Sequence, residues 1–165
     1  MLPNPLDVAM KEWAAVVSAV VEGRQVMLLR KGGIHEGRAG FQMKHDAFAF
    51  LPTYLHQSAE QTKPAERHRL RPLRDEPEAV HLTYAAEVTD VLVVPDRPTM
   101  DRLVEEHIWA EPYIDLRFNY KPQSPLFLVI VRPWVLASPV EVANDRYIAG
   151  CRSWVPLRQP IETGR

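Results

Sequence analysis

The chain has 165 residues, 46% hydrophobic and 25% charged, the size and balance of one ordinary water-soluble domain that can bury its own core. With Lys+Arg at 20 and Asp+Glu at 21 the net charge is −1, so no global field draws it onto nucleic acid or an anionic membrane; such binding needs a local patch. The single Cys151 excludes an internal disulfide and an all-cysteine metal site, and a reducing, cytoplasmic setting is expected.

The opening MLPNPLDVAMKEW lacks the basic region and unbroken apolar run of a signal peptide. The longest apolar runs, Leu126–Val131 and Val91–Val94, are far too short to span a bilayer, so no membrane partner is expected. Asp7 to Glu22 places Met10, Trp13, Val17 and Val20 on one helical stripe, with Gly23 as a left-handed stop. Arg24 to Arg30 reads as a short buried strand, and Gly32, Gly33, Gly37 and Gly40 punctuate the loop after it. His45 to Leu51 reads as a second strand, with Phe48 and Phe50 on one face and Ala47, Ala49 and Leu51 on the other. Pro52 should end it, and Thr53 could cap a short helix through Gln61.

Residues 62–78 carry three prolines and a mixed run of charges, and read as an exposed loop inside one domain spanning 1–165. His81 to Val94 is long for a strand, and a bulge is expected near Thr89-Asp90. Thr99 is expected to cap a helix through His107, and Pro112 suits the first turn of EPYIDLRFNY, with Tyr113, Leu116 and Tyr120 on one face. Leu126 to Leu136 is the clearest buried strand, with Pro133 marking an edge or a bulge. CRSWVPL predicts a last short strand. The fold class is α+β: a curled mixed or antiparallel sheet, or pseudo-barrel, of about five strands with three or four short helices.

Two resemblances rest on these strings. KEWAAVVSAVVEGRQVMLLRKGGI, HDAFAFLPTYLHQ and KPQSPLFLVIVRPWVL resemble the bacterial DUF1802 family over most of the chain. That likeness carries no activity with it. More loosely, a helix containing Trp13, then Gly23, then a strand ending in Arg30 is similar to the opening of PUA-like domains, including their ASCH and EVE branches. The likeness implies a small pseudo-barrel that binds RNA or modified DNA bases in a cleft beside that strand. Some ASCH members hydrolyse acylated cytidines with a lysine, a threonine and a glutamate. Lys31 sits near the place of that lysine, and no threonine lies in the loop that follows it.

The residues themselves point to Arg30-Lys31-Gly32-Gly33 as a phosphate-holding turn, because glycines let backbone N–H groups approach an anion that two cations attract. It is neither a Walker loop, since the lysine precedes the glycines, nor a dinucleotide fingerprint. Competing with it is a strand-end turn with solvated charges. His45, Asp46 and His56 suit acid–base work, with a hydrogen-bonded structural histidine as the alternative. Their spacing matches no metal-ligand pattern, and no metal or cofactor is expected. No nucleophile elbow surrounds any serine, and no acidic pair has a nuclease's lysine spacing. Tyr54, Trp109, Tyr113, Tyr120 and Trp154, with Arg117, Lys121, Arg132 and Arg152 near them in sequence, could build a stacking face; Trp109 and Tyr120 lie at element ends.

The leading expectation is a nucleic-acid or nucleotide-binding module, linked to restriction, defence or RNA processing, with RNA or DNA as partner. Arg30, Lys31, Gly32 and Gly33 would hold phosphate while His45, Tyr54 and His56 face the same cleft. Two alternatives stand beside it: a small hydrolase using Lys31 or His45 as base in that cleft, and a protein-interaction module.

Overall fold

The computed structural model describes residues 2–31, 41–71, 73–150 and 152–163. Gly32, Gly33 and Cys151 lie outside the described residues. The elements run β1 (Leu6–Trp13), α1 (Ala14–Val21), β2 (Met27–Arg30), β3 (Ala47–Thr53), β4 (Ala79–Val94), α2 (Arg97–Asp101), α3 (Glu111–Asn119), β5 (Leu126–Ala143) and β6 (Trp154–Ile161), with 3-10 turns at Pro64–Arg69 and Val104–Glu106. The six strands form one mixed sheet in the order β2-β5-β4-β3-β1-β6. Among the described residues only β1 and β3 pair in parallel, with Ala9 opposite Ala49; the other pairs are antiparallel. β2 and β6 are its two edges, so the ladder is not closed. The fold is α+β as the sequence predicts, with six strands rather than five.

β3 shows how the core divides. Phe48 and Phe50 enter a cluster with Met10, Val16, Val20 and Leu28, while Ala47, Ala49 and Leu51 enter another with Leu6, Leu82 and Leu136. Alternation along a strand buried on both faces produces this split. β4 and β5 pair along nearly their whole length, with register shifts at Leu82/Tyr84 and Val88/Asp90. The second of these lies at the expected bulge, and extra residues of this kind bend a strand pair. Pro133 faces Ala86 of β4, beyond Ile130, where the pairing with β2 stops. β5 has one neighbour there, the edge position that proline tolerates.

The structure corrects several local expectations. Only Ala14–Val21 of the expected Asp7–Glu22 helix is helical; Leu6–Trp13 is a strand flanked by β3 and β6. Val8, Ala9 and Met10 are consecutive and all buried, which a central strand achieves and a one-sided helical stripe does not. Gly23 does stop α1 at φ +73°. β3 runs through Pro52 to Thr53, because β4 pairs only with Ala47–Ala49 and leaves Pro52 bonded on the β1 side alone. The expected short helix from Thr53 through Gln61 does not form.

Within 62–78 the turn Pro64–Arg69 packs on α1. Glu66, 7% exposed, accepts from Arg24 Nε at 2.7 Å and Arg69 Nε at 2.8 Å, and Arg69 also reaches Glu22 at 2.6 Å. The cap expected at Thr99 is Asp96, whose carboxylate accepts from the Thr99 amide at 2.9 Å. α3 buries Tyr113 and Ile114, whereas Leu116 is exposed. Among the described residues, no helix is long and apolar enough to cross a membrane.

Candidate functional site

The sheet curls until its edge strand β2 meets β1, four places away in the strand order. Arg30, the last residue of β2, donates from Nη2 to the carbonyl of Lys11 at 2.7 Å and to Glu12 Oε2 at 2.8 Å. Glu12 is held in turn, its Oε1 accepting from the Trp13 amide at 2.8 Å. This largely buried pair joins two strands that share no ladder, and both residues line a cleft of about 620 Å³. The walls come from the ends of β1, β2 and β3, from α3, and from the segments around Glu76 and Gly150. Its volume lies within the ~300–1,000 Å³ typical of small-molecule sites.

Among the described residues, five cations line the cleft, Lys11, Arg30, Lys31, Arg117 and Arg152, against three carboxylates, Glu12, Glu76 and Glu78. A chain of net charge −1 thus concentrates positive charge in one place. Lys31 is 2% exposed, and its Nζ donates to the carbonyl of Phe118 at 2.9 Å. Burial, and then the charge of Arg117, push its pKa below the usual lysine value. The buried Nε–H groups of Arg30 and Arg117 find no acceptor among the described residues. Such unspent donors in a cleft wall suit an anionic ligand.

Aromatic rings complete the wall. Trp13 lies 4.7 Å from Tyr113, centroid to centroid, and the Arg117 guanidinium sits 6.0 Å over the Tyr113 ring. Burial raises the Tyr113 phenol above its usual pKa, so it is a neutral donor rather than a base. Glu76 fixes the rim: its Oε1 accepts from the amides of Tyr54 at 2.7 Å and Leu55 at 2.9 Å.

Of the residues singled out from sequence, Arg30, Lys31 and His56 line this cleft, together with Tyr113, Arg117 and Arg152 from the aromatic and basic set. Gly32 and Gly33 are outside the described residues. His45 is not among the lining residues; its ring lies 4.9 Å from that of Trp154, which packs against the first core cluster. Tyr54 lines a second cleft, beyond Pro52 and Pro77. The expected convergence of His45, Tyr54 and His56 on one cleft is therefore not what the fold brings about. Trp109, 2% exposed, stacks on Tyr113 in the core, and Tyr120 does not line the cleft.

Sequence reasoning passed over Glu12 and Glu76. Glu12 sits in a run that reads as helix, and Glu76 in one that reads as solvated loop. A carboxylate between the apolar Val8–Met10 and Trp13 was the available signal. Among the described residues, no group of three or more His, Cys, Asp or Glu is placed to hold a metal ion.

Comparison with known proteins agrees with this geometry at the level of fold. The ASCH protein from Zymomonas mobilis superimposes with a TM-score of 0.52 at 13% identity, covering 92% of this chain and 87% of that one. A point mutant of the same protein gives 0.54 at 12% identity, covering 96% and 92%. These likenesses show a shared PUA-like fold. No curated protein matches the chain. The profile described as a domain of unknown function, DUF1802, matches residues 9–165, and the chain belongs to that family.

Proposed function

We propose that the cleft at the ends of β1, β2 and β3 binds nucleic acid or a nucleotide, with phosphate held by Lys31, Arg30, Arg117 and Arg152 and a base placed against Trp13 and Tyr113. The observation that carries this reading is the excess, among the described residues, of two positive charges on a wall that also presents aromatic rings and arginine Nε–H groups with no acceptor among those residues. Phosphate neutralises the cations, and a base offers a face to the rings whatever its sequence. The ASCH-like fold is compatible with it.

The test is fluorescence anisotropy with short single- and double-stranded RNA and DNA at low and moderate salt. Binding should weaken as salt rises, and Lys31→Met and Arg117→Gln should each reduce affinity and flatten the salt slope. Unchanged affinity and slope in both variants, with circular dichroism showing intact folds, sink the proposal.

A hydrolytic reading rests on the buried Lys31 amine alone, whose depressed pKa moves it toward the range of a general base. It requires turnover of an acylated nucleotide analogue that Lys31→Met abolishes. His45→Ala, remote from the cleft, should spare that turnover.

A further inference from the structure

A second cleft of about 740 Å³ opens on the other side of the ridge that bounds the first. Pro52 and Pro77 line both, so the two clefts share a wall. Glu76 pins that ridge through the amides of Tyr54 and Leu55; Leu55 and His56 line the first cleft and Tyr54 the second. The second cleft continues the chemistry of the first. Tyr54 carries the Arg71 guanidinium 5.6 Å over its ring, and Tyr84, His68 and Arg69 stand in the same lining. Arg69 is committed to Glu66 and Glu22, which leaves Arg71, exposed on its loop, as the cation facing outward.

From this juxtaposition we infer that the ligand is a single-stranded nucleic acid several nucleotides long, which crosses the Pro52–Pro77 ridge from the first cleft into the second. The inference rests on the nucleic-acid reading of the first cleft and extends it. A free nucleotide fills one cleft and has no use for the other. A strand that continues over the ridge places a further base on Tyr54 or Tyr84 and the intervening phosphates beside Arg71 and His68. The alternation of ring and cation repeats on both sides, which is the pattern a flexible backbone with splayed bases requires. A duplex keeps its bases stacked on each other and cannot offer their faces to rings on two sides of a ridge.

The experiment compares a labelled octanucleotide with a dinucleotide of matching sequence, each in ribo and deoxy form, by anisotropy or competition at fixed salt. The octanucleotide should bind about tenfold tighter or better, since each added base–aromatic contact contributes about that factor. Tyr54→Ala and Arg71→Gln should each collapse the octanucleotide-to-dinucleotide affinity ratio towards one. A gain with length in either sugar series supports the path, and the larger gain identifies the sugar that the protein takes. Equal affinity for both lengths, with Lys31→Met still weakening both, overturns this inference and leaves the first cleft as a nucleotide site. A duplex octamer that binds as tightly as the single strand also overturns it. Failure of every oligonucleotide to bind removes the reading of the first cleft, and this one with it.

Discussion

Replacing Lys31 by methionine separates holding a ligand from holding the fold. The amine bonds the Phe118 carbonyl in the last turn of α3, where the final carbonyls lack helical partners and a cation adds ~0.3–1 kcal/mol. Losing a hydrogen bond from a charged donor costs a further ~1.5–3 kcal/mol. Against this stands desolvation. The side chain is 2% exposed, and burial with the Arg117 charge disfavours its protonated form; removing that cation returns free energy that works against these losses.

Methionine keeps the length and the apolar stem, so unfolding free energy at pH 7 should change by no more than about 1 kcal/mol. The sign of the pH dependence follows from the depressed pKa. Between the folded value and 10.5 the unfolded chain binds more protons, so wild-type stability rises with pH there and the variant lacks that rise. Affinity responds differently: one lost charged contact is about tenfold, and the salt slope for a single strand falls by about 0.7. Urea unfolding followed by tryptophan fluorescence at neutral and alkaline pH, beside anisotropy, measures both. A variant that unfolds several kcal/mol more easily yet binds unchanged would show Lys31 to be an anchor of the helix end, and the site assignment would fall.

Three further outcomes are expected. Glu66→Ala leaves the Arg69 guanidinium, 7% exposed, with the exposed Glu22 and the Ser18 hydroxyl, and Arg24 without its carboxylate; urea titration should show a loss of ~3–5 kcal/mol. The hydrogen bond from Arg69 holds the Glu66 pKa low, so this stability is present above pH 4.5, drains as pH falls through the folded value, and the gap to the variant narrows in acid. Burial depresses His107 to about 4; the unfolded chain takes up its proton below pH 6.5, so the wild type should lose on the order of 3 kcal/mol between pH 6.5 and 4, and His107→Gln should lack that slope. Phe48 is fully buried between Phe50 and Trp154, and Phe48→Ala should cost ~3–5 kcal/mol, read as a lowered calorimetric Tm.

What the sequence determined by itself was local. Period-two alternation placed Phe48 and Phe50 opposite Ala47, Ala49 and Leu51, because a strand has one possible pattern of faces. Gly23 stopped α1 because its φ of +73° is open to glycine, and Pro112 opened α3 because its missing N–H has no partner in a first turn anyway. The bulge near Asp90 and the edge at Pro133 were legible for similar reasons. Arg30 and Lys31 were placed at a strand end, and both line the cleft there.

Tertiary structure decided the rest. Met10 and Trp13 fit a helical stripe on paper, yet Leu6–Trp13 is a strand because β3 and β6 stand on either side to take its backbone hydrogen bonds. Asp96 displaced Thr99 as a cap because both types cap well and only the fold fixes which is first. His45 and His56 flank one strand, yet one rests on Trp154 and the other on the cleft. Glu12 became the partner of Arg30 through the curl of a six-strand sheet, a closure that depends on the summed twist of every strand pair and is written in no single segment.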